Sequence, residues 1–162
     1  MKDAIGSTWL TGIVIIFIAL FAGFLAYSIS YTKAFRVKNE IINIIETNEG
    51  FTTSPNSNRL HDLNEDDLKN DTSSEGQAFA FVKALGYNYI SGEQASCNGD
   101  GTMQYGGYCL KKFCPADGKI YYKVTTFIAL TIPVIEVTVK LPIAGETKTM
   151  FYDVTGAVNC NQ

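Results

Sequence analysis

Residues 12–29 read GIVIIFIALFAGFLAYSI, and they lie inside a longer stretch, residues 4–32, that carries no charged side chain. A helix rises 1.5 Å per residue, so about 20 apolar residues cross a hydrocarbon core of ~30 Å. The stretch therefore reads as a membrane-spanning helix, taken as residues 9–31. Trp9 stands near one end and Tyr27 and Tyr31 near the other, where amphipathic rings favour the headgroup level. A cleaved signal peptide is the competing reading, since Lys2 precedes the run and Ala26-Tyr27-Ser28 offers small residues for cleavage; the run, however, exceeds the usual length of a signal core.

Outward from this segment toward the C-terminus, the helical pattern continues. Tyr31, Ala34, Phe35, Ile41, Ile42 and Ile45 recur largely at spacings of three, four and seven, one face of a helix, while Lys33, Arg36, Lys38, Asn39, Asn43 and Glu46 fall largely on the other. The spacing predicts one unbroken helix from about Trp9 to about Thr47, with residues 32–49 as its amphipathic continuation and Asn48-Glu49-Gly50 as its stop. Residues 1–8 form a short leader or cytoplasmic tail. Residues 50–74 are polar and read as an exposed connection with a helical turn around Leu60 to Leu68.

Residues 75–162 read as a small helix plus an antiparallel sheet. Ser73 or Ser74 caps EGQAFAFVKALG, whose Phe79, Val82 and Leu85 share a face and whose Gly86 ends it. In KIYYKVTTFIAL, Ile120, Tyr122, Val124, Ile128 and Leu130 alternate with polar residues; VIEVTVKL repeats the pattern with Ile135, Val137, Val139 and Leu141 inward. These make a hairpin. Pro142, Ala144 and Gly145 are expected to end its second strand before a third in ETKTMFYDV, with QYGGYCLKKF as a fourth. The fold class is α+β: a long N-terminal transmembrane and amphipathic helix packed on a small antiparallel sheet with disulfides.

The four cysteines, Cys97, Cys109, Cys114 and Cys160, all follow the apolar segment, which suggests two disulfides in an oxidising compartment. Of the three possible pairings, Cys97 with Cys109 and Cys114 with Cys160 is favoured: the first closes the GDGT turn region and the second pins the tail. A four-cysteine zinc site would want two close pairs, and only one gap here is short.

Catalytic chemistry finds no constellation. His61 is the single histidine and lies in the polar connection beside Asp62. Asp62, Asn64 and Asp66 begin like a calcium loop, but Asp67 stands where the sharp turn needs Gly and Ser73 where the loop needs Glu. The glycines of NGDGTMQYGG lack a phosphate-loop Lys. The net charge of −3 gives no basic footprint for nucleic acid. No enzyme activity, cofactor, metal or small-molecule substrate is expected.

A short leader, an apolar helix continuing as an amphipathic spine, then a sheet with disulfides: this organisation resembles the pilin-like proteins of type IV and Tad systems, TadE-like and TadF-like pseudopilins in particular. The resemblance implies a structural or assembly subunit whose partners are membrane lipid and other pilin-like subunits. It implies a peptidase cut between Gly6 and Ser7, after MKDAIG; the family's glutamate five residues into the mature helix falls on Thr11 here. It also implies a single-pass membrane protein with an extracellular C-terminal domain, and a cell-surface filament if processed. Gly12, Ala19 and Gly23 supply small positions for contact between helices, and Ile41, Ile42 and Ile45 the apolar stripe beyond them. Basic residues closer to the C-terminal end of the span argue for the opposite topology, and the cysteines outweigh them. A second function class is a monomeric anchored module recognising an extracellular ligand through Tyr87, Tyr89, Tyr105 and Tyr108.

Overall fold

The computed structural model of the chain describes residues 2–56, 64–87, 97, 99–115, 118–132 and 137–151. Helix α1 (Lys2–Thr47) is one helix of 46 residues, with no Pro to interrupt its hydrogen-bond ladder. It begins at Lys2 rather than near Trp9, since neither Pro nor charge in residues 4–8 opposes helix. Its end is where the sequence puts it. Glu49 turns into the left-handed region (φ 52°), and the Gly50 N–H donates back to the Ile45 carbonyl at 2.9 Å.

Two short helices follow, α2 (Glu65–Lys69) and α3 (Ser74–Ala84). Strands β1 (Thr102–Gln104), β2 (Tyr108–Phe113), β3 (Lys119–Ile132), β4 (Val137–Glu146) and β5 (Met150–Phe151) form an antiparallel sheet in the order β1-β2-β3-β4, with β5 pairing the start of β3. The expected single strand in QYGGYCLKKF is two, β1 and β2, because Tyr105-Gly106-Gly107 makes the turn between them. The expected break at Pro142 is absent: β4 runs through it to Glu146, and β5 has two residues among those described.

Pro142 is tolerated for a reason visible in the register. Pro142 lies opposite Phe127, whose own N–H and carbonyl both point to the other side of β3, where the Tyr87 hydroxyl meets them. The pair is thus a non-hydrogen-bonded one, so the missing N–H of Pro142 belongs to the outer edge of β4 and costs the ladder nothing.

Helix α1 lies antiparallel to β3. The Thr126 hydroxyl donates to the Ala34 carbonyl at 3.0 Å; further along the helix Ile42 reaches Gly145, which sits opposite Val124; Glu46 accepts from the Lys148 N–H at 2.8 Å. The buried stripe of α1 is Ala34, Val37, Ile41, Ile44 and Ile45, packed on Tyr108, Leu110, Ile120, Tyr122 and Val124. This corrects the expected face in three places. Tyr31 and Phe35 are 44 % and 40 % exposed, and Ile42 is only partly buried. Close approach of helix to sheet selects the small Ala34 where an aromatic ring would not fit. A Cβ at Gly145 would come within 2.9 Å of the Ile42 Cδ1, so glycine there serves the same approach.

The other face of the sheet is covered by the segment around residue 100. Cys97 is bonded to the buried Cys109, the Lys111 Nζ donates to the Gly99 carbonyl at 2.8 Å, and Lys123 pairs with Asp100 at 2.7 Å. The bond occupies both sulfurs and so removes the four-cysteine zinc alternative. Cys114 is also disulfide-bonded; its expected partner Cys160 lies outside the described residues.

A polar knot ties the end of α1 to the start of α3. Ser73 caps α3 by accepting from the Gly76 N–H at 3.0 Å, and Asp71 in turn accepts from the Ser73 N–H and from the hydroxyls of Ser73 and Ser54. A Cβ at Gly76 would collide with the Asp71 carboxyl. The buried Glu75 accepts from the Ser54 N–H at 2.8 Å. Burial works to raise the Asp71 carboxyl, but the hydrogen bonds from Ser54 and Ser73 together hold it below the usual carboxylate value.

Two outcomes follow. Ile41→Ala or Ile45→Ala, each deleting a fully buried side chain, destabilises the domain by about 2–5 kcal/mol in denaturant unfolding, whereas Asp66→Ala at an exposed site stays within about 0.5 kcal/mol. An aspartate with a depressed folded pKa stabilises fully above its unfolded value of about 3.9 and loses that contribution as pH falls through the folded value. Asp71→Asn accordingly melts lower at pH 7 and shows a smaller further loss below about pH 4 than the wild-type chain.

Candidate functional site

The feature that sets this chain apart from an ordinary small domain is how α1 divides. From Trp9 to Ile29 its large apolar side chains are exposed: Trp9 at 74 %, Phe17 at 69 %, Leu20 at 69 % and Phe24 at 65 %. None of its most apolar segment is buried by the rest of the chain. From Ala34 to Ile45 the same helix is the interior of the domain. The first half is long and apolar enough to cross a membrane and stands near the N-terminus.

Where the halves meet, several contacts form a collar. Tyr27, Tyr31 and Phe35 line one side of α1 with ring centroids 6.4 and 6.2 Å apart, the first pair tilted and the second stacked, and the Lys38 ammonium lies 4.3 Å from the Phe35 ring centroid. The Thr32 hydroxyl donates to the Ser28 carbonyl at 2.8 Å, so it is satisfied within the helix. Lys33, the first charge after the uncharged stretch, reaches the Gly86 carbonyl at 3.4 Å. Next to it, the Tyr87 hydroxyl donates to the Phe127 carbonyl at 2.7 Å and accepts from the Phe127 N–H at 2.8 Å. β2 pairs with β3 only as far as Thr125, and Tyr87 supplies the bonds that another residue of β2 would have made.

The expected site residues fall into separate groups. Gly12 and Gly23 have nothing within 4 Å of where a Cβ would stand, and Ala19 is exposed with them, so the small positions form an open surface. Ile41 and Ile45 are fully buried against the chain's own sheet, with Ile42 at their margin. Gly6 and Ser7 lie within α1. The three described tyrosines of this set have different surroundings. Tyr108 is wholly buried, and burial, reinforced by Glu75, pushes its phenol far above the usual range. Tyr87 is engaged with Phe127, and Tyr105 is 41 % exposed; Tyr89 lies outside the described residues. His61 and Asp62 lie outside them too, while Asp66 and Asp67 are exposed.

Two functional features escaped the sequence reading. Tyr87 as an edge cap has no local signal, because its partner Phe127 is 40 positions away. The Thr126–Ala34 bond was likewise invisible, although a polar residue at an inward position of β3 was its one trace.

No family model, curated protein or solved structure matches this chain.

The edge cap has a direct test. Tyr87→Phe removes both bonds to Phe127 while keeping the ring, and is expected to cost about 1–3 kcal/mol, with faster hydrogen exchange of the Phe127 amide.

Proposed function

We propose that the chain is a pilin-like structural or assembly subunit of a cell-surface filament or secretion apparatus, held in the membrane by the first half of α1. The observation that carries this reading is the division of one unbroken helix into an uncovered apolar half and a half that is the core of the domain. A helix used only as a tether needs no rigid connection to its cargo. Here the apolar half is held to the domain through Ala34, Val37 and Ile41, so contacts made by the one fix the position of the other. Disulfides support an oxidising, extracellular setting for the domain.

The uncovered small residues Gly12, Ala19 and Gly23 are the positions at which a second helix comes close. A cut between Gly6 and Ser7 prepares the chain for that association. The alternative, a monomeric anchored binding module, loses support because Tyr108 is interior and Tyr87 is occupied in closing the sheet.

Ala19→Cys protein that keeps its native cysteines, in native membranes and under mild oxidation, is expected to give a disulfide-linked dimer through position 19, and mass analysis of the mature chain to begin at Ser7. A chain that begins at Met1 and stays monomeric at every cysteine position from 12 to 23 is the plain anchored module instead.

A further inference from the structure

The connection between α2 and α3 contains Asn70-Asp71-Thr72. Of the chain's eleven asparagines, Asn70 is the one with Ser or Thr two positions on, and no Pro intervenes. That pattern marks an asparagine that can accept a glycan on a surface loop. It also arises by chance in a chain rich in Asn, Ser and Thr, so its placement in the fold decides what it means.

Asn70 and Thr72 are both exposed, and among the described residues neither the Asn70 carboxamide nor the Thr72 hydroxyl has a hydrogen-bond partner. The backbone presents them. At the turn that ends α2, the Asn70 N–H donates to the Asp66 carbonyl at 3.2 Å and the Asp71 N–H to the Leu68 carbonyl at 3.3 Å. Just beyond, the Gln77 side-chain amide donates to the Thr72 carbonyl at 2.9 Å. Asp71 is turned the other way. Its carboxylate accepts from the Ser73 N–H at 2.9 Å and from the hydroxyls of Ser73 and Ser54, which holds its charge inside the polar knot. The acceptor amide and the hydroxyl thus face solvent, with the one charge of the tripeptide drawn away from them. Beside them lies an open groove of about 820 Å³, lined by Asn48, Thr52, Asn56 and Asp67, with Pro55 its one apolar lining residue among those described. The hydroxyls of a sugar find hydrogen-bond partners in such a groove, whereas an apolar ligand does not.

We propose that Asn70 is an N-glycosylation site, taking an oligosaccharide from a lipid-linked pyrophosphate donor. The Asn70 Nδ2 attacks the anomeric carbon of the first sugar, and a C–N bond forms as the bond from that carbon to the pyrophosphate oxygen breaks. The amide loses one proton to a base of the transferase, and the lipid pyrophosphate leaves with the bonding electron pair. This rests on the reading that the domain lies outside the cytoplasm, in the setting where Cys97 and Cys109 are oxidised. It also restricts the assembly reading. A glycan is bulky and solubilising, so the side of the domain that carries the α2–α3 turn faces solvent in any filament, and subunits pack through other faces.

The test is peptide mass spectrometry of full-length protein taken from membranes of the cells that naturally make it, alkylated under denaturing conditions before reduction. Trypsin releases residues 70–83, in which Asn70 is the only asparagine. This peptide is expected to carry the mass of at least one sugar, and electron-transfer fragmentation to place that mass on Asn70. Asn70→Gln and Thr72→Ala are each expected to abolish the addition, and Thr72→Ser, which restores the hydroxyl, to retain it. Both positions are exposed, so all three variants are expected to fold as the wild-type chain does. The wild-type peptide is read without any substitution. If it is unmodified while Cys97 and Cys109 are bonded, the site alone is overturned. If it is unmodified and both cysteines are alkylated as free thiols, the extracytoplasmic reading falls and the site with it. Sugar located on Thr72 or Ser73, or persisting in Thr72→Ala, also overturns the proposal, because the transfer then does not read the tripeptide at Asn70.

Discussion

The packing of α1 residues 34–45 on β3 is the constraint from which the rest of the structure follows. It buries Val37, Ile41 and Ile45 completely, brings the Thr126 hydroxyl to the Ala34 carbonyl, and requires Gly145 on the neighbouring strand so that Ile42 and Lys38 can pass. Each fully buried aliphatic chain contributes on the order of 1.5–3 kcal/mol, against a total stability of about 5–15 kcal/mol for a domain of this kind. The domain thus has no complete core without the helix. The membrane-compatible segment and the globular part are one cooperative object.

Much of this was legible in the sequence because its signals were periodic and local. The uncharged run, the change from all-round apolar to one-sided helix, the stop at Asn48-Glu49-Gly50, the Ser73 cap and the alternation of Ile120, Tyr122, Val124 and Ile128 each follow from a short-range rule, and each is present. The readings that changed depended on tertiary context. Phe35 looks like core and Ala34 does not, yet the helix approaches the sheet too closely for a ring, and the aromatics turn outward into a ladder with Tyr27 and Tyr31. Pro142 looks like a terminator, yet its register places the missing donor on an outer edge. Of the candidate site, the small residues and the isoleucines were identifiable by type. That the former are open and the latter are used up inside the same chain required coordinates.

The residues that close the sheet show how a small domain manages its edges. A free strand edge invites pairing with another chain, and the usual defences are charge, proline and covering groups. Two of them occur here: Pro142 sits on β4, and the Tyr87 hydroxyl engages both backbone groups of Phe127 on the far side of β3. The disulfide from Cys97 to Cys109 secures the segment that covers the remaining face.

The antiparallel alignment of α1 with β3 has a mechanical side. A load applied along α1 acts parallel to the interface between helix and sheet. The contacts at Ala34, Val37, Ile41, Ile44 and Ile45, with the Thr126 and Glu46 hydrogen bonds, then bear that load together in shear. Had the helix met the sheet end-on, the same force would peel those contacts apart one at a time. Interfaces loaded in shear fail at higher force than interfaces that unzip, so this geometry suits a chain that transmits tension along its own axis.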